Sequence, residues 1–144
     1  METNSRIHEK RKGCSIIFLN PQHQILLVLR DDKPDIPYPN CWDLPGGHVE
    51  SGETPSRCIV REMNEEIGYD LKEFQLVSVF EFDDRIEYTY WKAVDFDIRQ
   101  IHLTEGQCLR WFTREEISKT RLACGFNRII ADFFQKAPYE SKSP

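Results

Sequence analysis

Residues 54–68, Thr-Pro-Ser-Arg-Cys-Ile-Val-Arg-Glu-Met-Asn-Glu-Glu-Ile-Gly, constrain the fold more than any other segment. Thr54 suits a helix N-cap, where its hydroxyl accepts from a free N–H of the first turn. Pro55 suits the first helical position, where no N–H is needed. Gly68 ends the helix as a C-cap. Between them Ile59, Val60, Met63 and Ile67 recur at helical spacing and form one apolar stripe. A helix of this length is marginal alone in water, so the stripe must lie on an apolar surface.

Strands supply that surface. Residues 14–20 hold the apolar run Ser15-Ile16-Ile17-Phe18-Leu19, and residues 25–29 hold a second aliphatic run. Asn20-Pro21-Gln22-His23-Gln24 turns the chain between them, which predicts a hairpin. Residues 31–40 carry Pro34, Pro37 and Pro39 among charges and read as a loop. Residues 42–53 contain three glycines and read as a second loop just before the helix. Residues 74–82 and 86–96 read as a hairpin around Asp83-Asp84-Arg85, and residues 107–112 as a shorter strand. Thr113-Arg114-Glu115-Glu116 is a capping box opening a short helix. Residues 126–136 form a last helix with Ile129, Ile130, Phe133 and Phe134 inward. Pro138 ends it, and residues 139–144 are read as a loose tail. Strands outnumber helices, yet helices are spread along the chain. That order predicts an α/β (α+β) fold, a mixed β-sheet sandwiched between α-helices.

The 144 residues are expected to form one domain spanning 1–144, with residues 1–12 and 138–144 flexible. No apolar run reaches the length of a membrane span. The first 12 residues lack the apolar stretch of a secretory signal, so a cytoplasmic location and no membrane partner are expected. Cys14, Cys41, Cys58, Cys108 and Cys124 are scattered with no CxxC spacing. Isolated thiols are expected from this, not a disulfide framework or a zinc knuckle. The net charge of −5 argues against a nonspecific grip on duplex DNA. It leaves room for a small phosphorylated ligand held by a few local cations. A monomer or a homodimer is expected.

On the first helix, Glu62, Glu65 and Glu66 are three and four residues apart and share one face, beside the apolar stripe. Carboxylates at i and i+4 repel each other by a few tenths of a kcal/mol in an isolated helix. A solvated acidic face is one reading of this cluster. A site for a hard divalent cation is the other, because Mg²⁺ takes oxygen ligands, commonly carboxylates together with substrate phosphates.

The order of residues favours the second reading. Gly47, then five residues, Glu53, then seven residues, and Arg61-Glu62-Met63-Asn64-Glu65-Glu66-Ile67-Gly68-Tyr69 resemble the signature of the Nudix hydrolases. All seven invariant positions of that signature are present. At about 6–7% per position, a chance match has odds on the order of one in a million. Met63 and Tyr69 occupy slots where aliphatics are commoner. The strand order, the approach from Trp42 to Gly47 and the late helix look like the MutT-type branch.

The resemblance implies a Nudix fold and hydrolysis of a nucleoside diphosphate linked to another group, with Mg²⁺ or Mn²⁺ as cofactor. For MutT-like members it implies cleavage of a nucleoside triphosphate to monophosphate and pyrophosphate, with 8-oxo-dGTP the substrate singled out. Nucleotide sugars, dinucleoside polyphosphates, RNA 5′ ends and a non-catalytic nucleotide-binding module are the alternatives. Glu62 and Glu66 are expected metal ligands, with Glu65 next. By resemblance the Gly46 carbonyl is a further ligand, and Glu105 matches a glutamate that approaches the metals. The general base is Glu62 or Glu105. Arg61 orients the glutamates, and Glu53 ties the loop to the helix. Gly46 and Gly47 permit close backbone geometry near the ligand. Arg30 and Arg85 resemble phosphate- and substrate-contacting arginines, a guanidinium being suited to phosphate. Asn127 resembles a purine-reading asparagine, and helix capping is its other reading. Trp42, Tyr88, Tyr90 and Trp91 are read as core packing, and His48 as structural.

Overall fold

β1 (Arg11–Leu19) is buried on both faces from Gly13 onward, and this sets the layering. The computed structural model describes residues 10–140. Cys14, Ile16 and Phe18 point to one side of β1, whereas Ile17 and Leu19 point to the other. A strand buried on both faces must be central, with a layer on each side.

The first layer is α1 (Pro55–Ile67), whose Cys58, Ile59, Met63 and Ile67 pack on Cys14, Ile16 and Phe18. Its ends are as the sequence indicates. The Thr54 hydroxyl accepts from Arg57 N at 3.2 Å, and Gly68 adopts φ 65° at the C-cap. The second layer is α2 (Arg114–Ser118) and α3 (Phe126–Lys136), which cover Ile17, Leu19, Ile25 and Leu27 with Ile117, Phe126, Ile129, Ile130, Phe133 and Phe134. The Thr113–Glu116 capping box is formed.

The sheet between them has β2 (Ile25–Leu29), β3 (Trp42–Asp43), β4 (Gly46–His48), β5 (Gln75–Glu81), β6 (Arg85–Ala93) and β7 (Cys108–Phe112) beside β1. The order is β3-β2-β1-β6-β5, with β4 also on β1 and β7 also on β2. β1 and β6 are parallel over nine residues, and the other pairs are antiparallel. The sheet is therefore mixed, as expected.

Four local expectations are corrected. The glycine loop of residues 42–53 contains two short strands, because Trp42 and Asp43 pair with Leu29 and Val28 of β2, and Gly46 and Gly47 pair with Ser15 and Cys14 of β1. Cys14 and Cys58 form a disulfide between β1 and α1, 44 residues apart, in place of isolated thiols. Cys14 faces α1 on the strand's period of two, and Cys58 opens the helical stripe, so the two patterns meet at sulfur. Tyr139, read as part of a loose tail, packs against Trp91, Phe133 and His23. At the other end, β1 begins at Arg11, inside the segment expected to be flexible. Residues 1–9 and 141–144 lie outside the described residues. Tyr90 and Trp91 pack in the two cores and Trp42 stacks edge-on against Phe112, as expected.

Candidate active site

The site is assembled around one backbone contact. β4 lies antiparallel on β1, and a Cβ at Gly46 would strike the Cys14 carbonyl. A Cβ at Gly47 would strike the Glu62 carboxylate. Two successive glycines thus let the turn sit between β1 and the acidic face of α1, with Glu62 directly against it.

Arg61 organises that face. Its Nε donates to Glu53 Oε2 at 2.7 Å and its Nη2 to Glu53 Oε1 at 3.0 Å, a two-pronged ion pair. Its Nη1 reaches Glu62 Oε2 and Glu65 Oε1, each at 3.2 Å, and its Nη2 also donates to the His48 carbonyl at 3.2 Å. One guanidinium therefore fixes the loop glutamate, two helix glutamates and the backbone after the glycine pair. Planar forked donors suit that task. Hydrogen bonds from Arg61 hold the Glu53 carboxyl down to about 2, and Glu53 raises Arg61 in return.

Glu66 departs from expectation. It lies at the inner edge of α1, 8% exposed, and not beside the stripe. Seven residues after Ile59, it falls about 20° from that side chain on a helical wheel, so the geometry puts it inward. Burial pushes its pKa far above the carboxylate range, and a shared hydrogen bond with Glu62 and the charges of Glu62, Glu105 and Asp43 push the same way. Without a cation beside it, burial therefore favours the protonated form of Glu66.

Glu105 reaches the same place by a different route. Thr104 N donates to the Glu66 carbonyl at 3.0 Å and its hydroxyl to the Glu65 carbonyl at 2.7 Å. These bonds use carbonyls that the end of α1 leaves free. They hold the next residue, Glu105, at the rim of an open hollow of about 640 Å³ that Gly46, Glu62, Glu65 and Glu66 also line. The donor set is all oxygen, which fits Mg²⁺ or Mn²⁺. Among the described residues no three His, Cys, Asp or Glu side chains stand gathered as a ready ligand set. Glu62 and Glu65 are instead turned toward Arg61, and Glu66 toward Glu62.

Beside the hollow lies a second pocket of about 430 Å³, with Phe82 and Phe126 among its walls and Arg85, Glu87 and Asp43 in its lining. Arg30 lines both cavities, as do Gly46, Gly47 and His48. Its Nη1 donates to Asp43 Oδ2 at 3.1 Å and its Nε to the Pro37 carbonyl at 3.0 Å. Arg85 is buried. Its Nε donates to Glu87 Oε1 at 2.7 Å, its Nη2 to the Cys124 carbonyl at 2.9 Å, and it stacks 4.1 Å above the Phe82 ring. Asn127 does not join them. Its amide is occupied by Leu122 N, Thr120 O and Ile117 O, so it neither caps α3 nor faces the pocket but pins the preceding loop.

The sequence reading missed Asp43 and Glu87. Burial raises both carboxyls, and Arg30 and Arg85 respectively offset it in part. The signal for Glu87 was the period of two along β6, which puts Arg85, Glu87 and Thr89 on one buried face.

The NUDIX domain family matches residues 9–133 of the chain. The human diphosphoinositol polyphosphate phosphohydrolase 2 is 33% identical over 131 residues, covering 88% of this chain and 69% of that one. The Escherichia coli 8-oxo-dGTP diphosphatase is 36% identical over 77 residues, 52% of this chain and 57% of that one. A solved MutT protein from Methanosarcina mazei Go1 superimposes with a TM-score of 0.72 at 24% identity, covering 90% of this chain and 98% of that one. Across curated relatives, the matched stretch spans 38–70% of their own length. A mixed sheet between helices, with a glycine turn backed onto an acidic helix, defines a Nudix domain. The chain belongs to the Nudix hydrolase family.

Proposed function

We propose that this protein hydrolyses a nucleoside triphosphate to the monophosphate and pyrophosphate, with an oxidised purine nucleotide such as 8-oxo-dGTP as substrate. One observation carries the reading: a glutamate-lined hollow adjoins a pocket of nucleoside size, and Arg30 lines both. A triphosphate laid across Arg30 puts its base among Phe82 and Phe126 and its phosphates over the glutamates. The aromatic walls suit a nucleobase better than a second polyanionic group, which favours a nucleotide over an inositol pyrophosphate.

Glu62, Glu65, Glu66 and Glu105, with the Gly46 carbonyl, would hold Mg²⁺ or Mn²⁺. The cation supplies charge neutralisation at the phosphate oxygens and a lowered water pKa. Without it this acidic face would repel the substrate. Arg61 keeps Glu62 and Glu65 aimed, and Glu53 fixes Arg61. Arg30 contacts phosphate through the N–H groups that Asp43 and Pro37 leave free. The proton of the attacking water passes to Glu62 or to Glu105. Both border the hollow, and Glu105 is the more exposed.

A panel of nucleotides with Mg²⁺ and with Mn²⁺, including oxidised purines and nucleotide sugars, tests the reading through product analysis by phosphorus NMR. Monophosphate and pyrophosphate from a purine triphosphate are expected. Preferential cleavage of a nucleotide sugar or dinucleoside polyphosphate overturns the substrate class. Binding without cleavage of any member overturns the enzymatic reading.

A further inference from the structure

The 430 Å³ pocket contains a hydrogen-bonding surface that phosphoryl transfer does not use. Arg85 and Glu87 sit two residues apart on the same buried face of β6, joined at 2.7 Å, and both line the pocket. Glu87 is 3% exposed. A buried carboxylate is costly unless its acceptor sites are filled; Arg85 Nε holds Oε1 and Ser15 also hydrogen-bonds the carboxyl, which together use two of its four lone-pair sites. Asp43, on the same lining, has its Oδ1 buried without a partner among the described residues. This end of the pocket is therefore rich in acceptors and short of donors. Arg85 supplies the donors it does have, through the guanidinium N–H groups left over from Glu87 and Cys124.

A guanidinium beside a carboxylate offers, in order, a donor and then acceptors. Among nucleobases, the edge that complements this order carries an acceptor oxygen, a ring N–H and an exocyclic amine side by side. Guanine has that edge. Adenine presents an amine beside a bare ring nitrogen, which would set an acceptor against the carboxylate. Hypoxanthine keeps the oxygen and the ring N–H but lacks the amine. We propose that Glu87, paired with Arg85, is the specificity-determining residue of this protein and selects guanine-type bases by accepting from their ring N–H and exocyclic amine. A guanine oxidised at C8 carries the same edge, so the pair reads guanine as a class. The inference rests on the nucleotide reading above, whose failure can be told apart from its own.

The test compares dGTP, dITP and dATP by kcat/KM with Mg²⁺, and GMP with IMP by equilibrium binding in chelator. Unpairing a buried charged acceptor is expected to cost ten- to a hundredfold. The wild-type protein should therefore prefer dGTP over dITP by at least tenfold, and over dATP by more. GMP should outbind IMP by a similar factor. In Glu87→Gln the dGTP/dITP ratio should fall toward unity, since an amide replaces one acceptor with a donor. A wild-type dGTP/dITP ratio within twofold of unity overturns the proposal, and so does a Glu87→Gln protein that keeps the wild-type ratio. If Glu87→Gln does not fold, Glu87→Asp, which draws the carboxylate back by one methylene, replaces it, and an unchanged dGTP/dITP ratio in that variant overturns the proposal. If no triphosphate is cleaved yet GMP outbinds IMP, the hydrolase reading fails and base selection stands.

Discussion

Replacing Glu66 with glutamine should stabilise the metal-free protein, increasingly so as pH rises. The side chain is 8% exposed, and burial with the neighbouring Glu62 raises its pKa far above 4.5, the ordinary glutamate value. The folded state keeps the proton and the unfolded state gives it up once pH passes 4.5. Folding is therefore unpenalised below that pH and loses stability as pH climbs toward the folded pKa. The slope is up to about 1.4 kcal/mol per pH unit. By about pH 7.5 the ceiling is roughly 4 kcal/mol, and relaxation of the site with water entry brings the expectation to about 1–2 kcal/mol. Urea denaturation in chelator at several pH values measures it. Wild type and Glu66→Gln should match near pH 4.5 and separate as pH rises, with the variant more stable. A constant offset across the pH range, or a variant less stable at neutral pH, would refute the burial argument. The variant should also lose metal-dependent turnover, so the stability penalty and the function reside in the same carboxyl.

Other expectations follow from the same geometry. Glu62→Gln should lower turnover by about 10²–10⁴-fold while the thermal transition holds. Glu105→Gln, assayed beside it, should show the larger loss if Glu105 is the base and the smaller if Glu62 is. Arg61→Lys keeps the charge but loses the fork that joins Glu53, Glu62 and Glu65, so kcat should fall tenfold or more with folding retained. Circular dichroism with steady-state kinetics checks each variant. Reduction of the Cys14–Cys58 bridge removes a cross-link between residues 44 apart, which should cost about 2–4 kcal/mol of stability. Denaturation with and without dithiothreitol measures this, and Cys58→Ser should be insensitive to the reductant.

Most elements were legible because periodicity is local. The apolar runs gave β1 and β2, and Thr54, Pro55 and Gly68 gave both ends of α1. The two-residue β3 and the three-residue β4 were not legible, since strands so short are defined by their partners on β2 and β1. The site divides in the same way. Glu62, Glu65 and Glu66 are neighbours on one helix, so spacing alone grouped them. Glu105 depends on Thr104 reaching the end of α1, a contact across 38 residues of chain. Here the resemblance, not the pattern, supplied the residue. Asn127 shows the opposite case: it lies at the start of α3, as the sequence indicates, but its amide turns toward loop backbone that local sequence does not place. The Cys14–Cys58 contact needed the strand and helix faces superposed, and spacing along the chain holds no trace of it.

In the proposed reaction the acidic flank of α1 holds divalent cations against a nucleotide's phosphates. Anomalous diffraction from crystals soaked with Mn²⁺ and a non-hydrolysable triphosphate tests it most directly. Mn²⁺ peaks ligated by Glu62 and Glu66 are expected, with phosphate oxygens completing the shell and Arg61 still bound to Glu53. Nucleotide bound with no Mn²⁺ on that flank, or Mn²⁺ seated elsewhere, would contradict it.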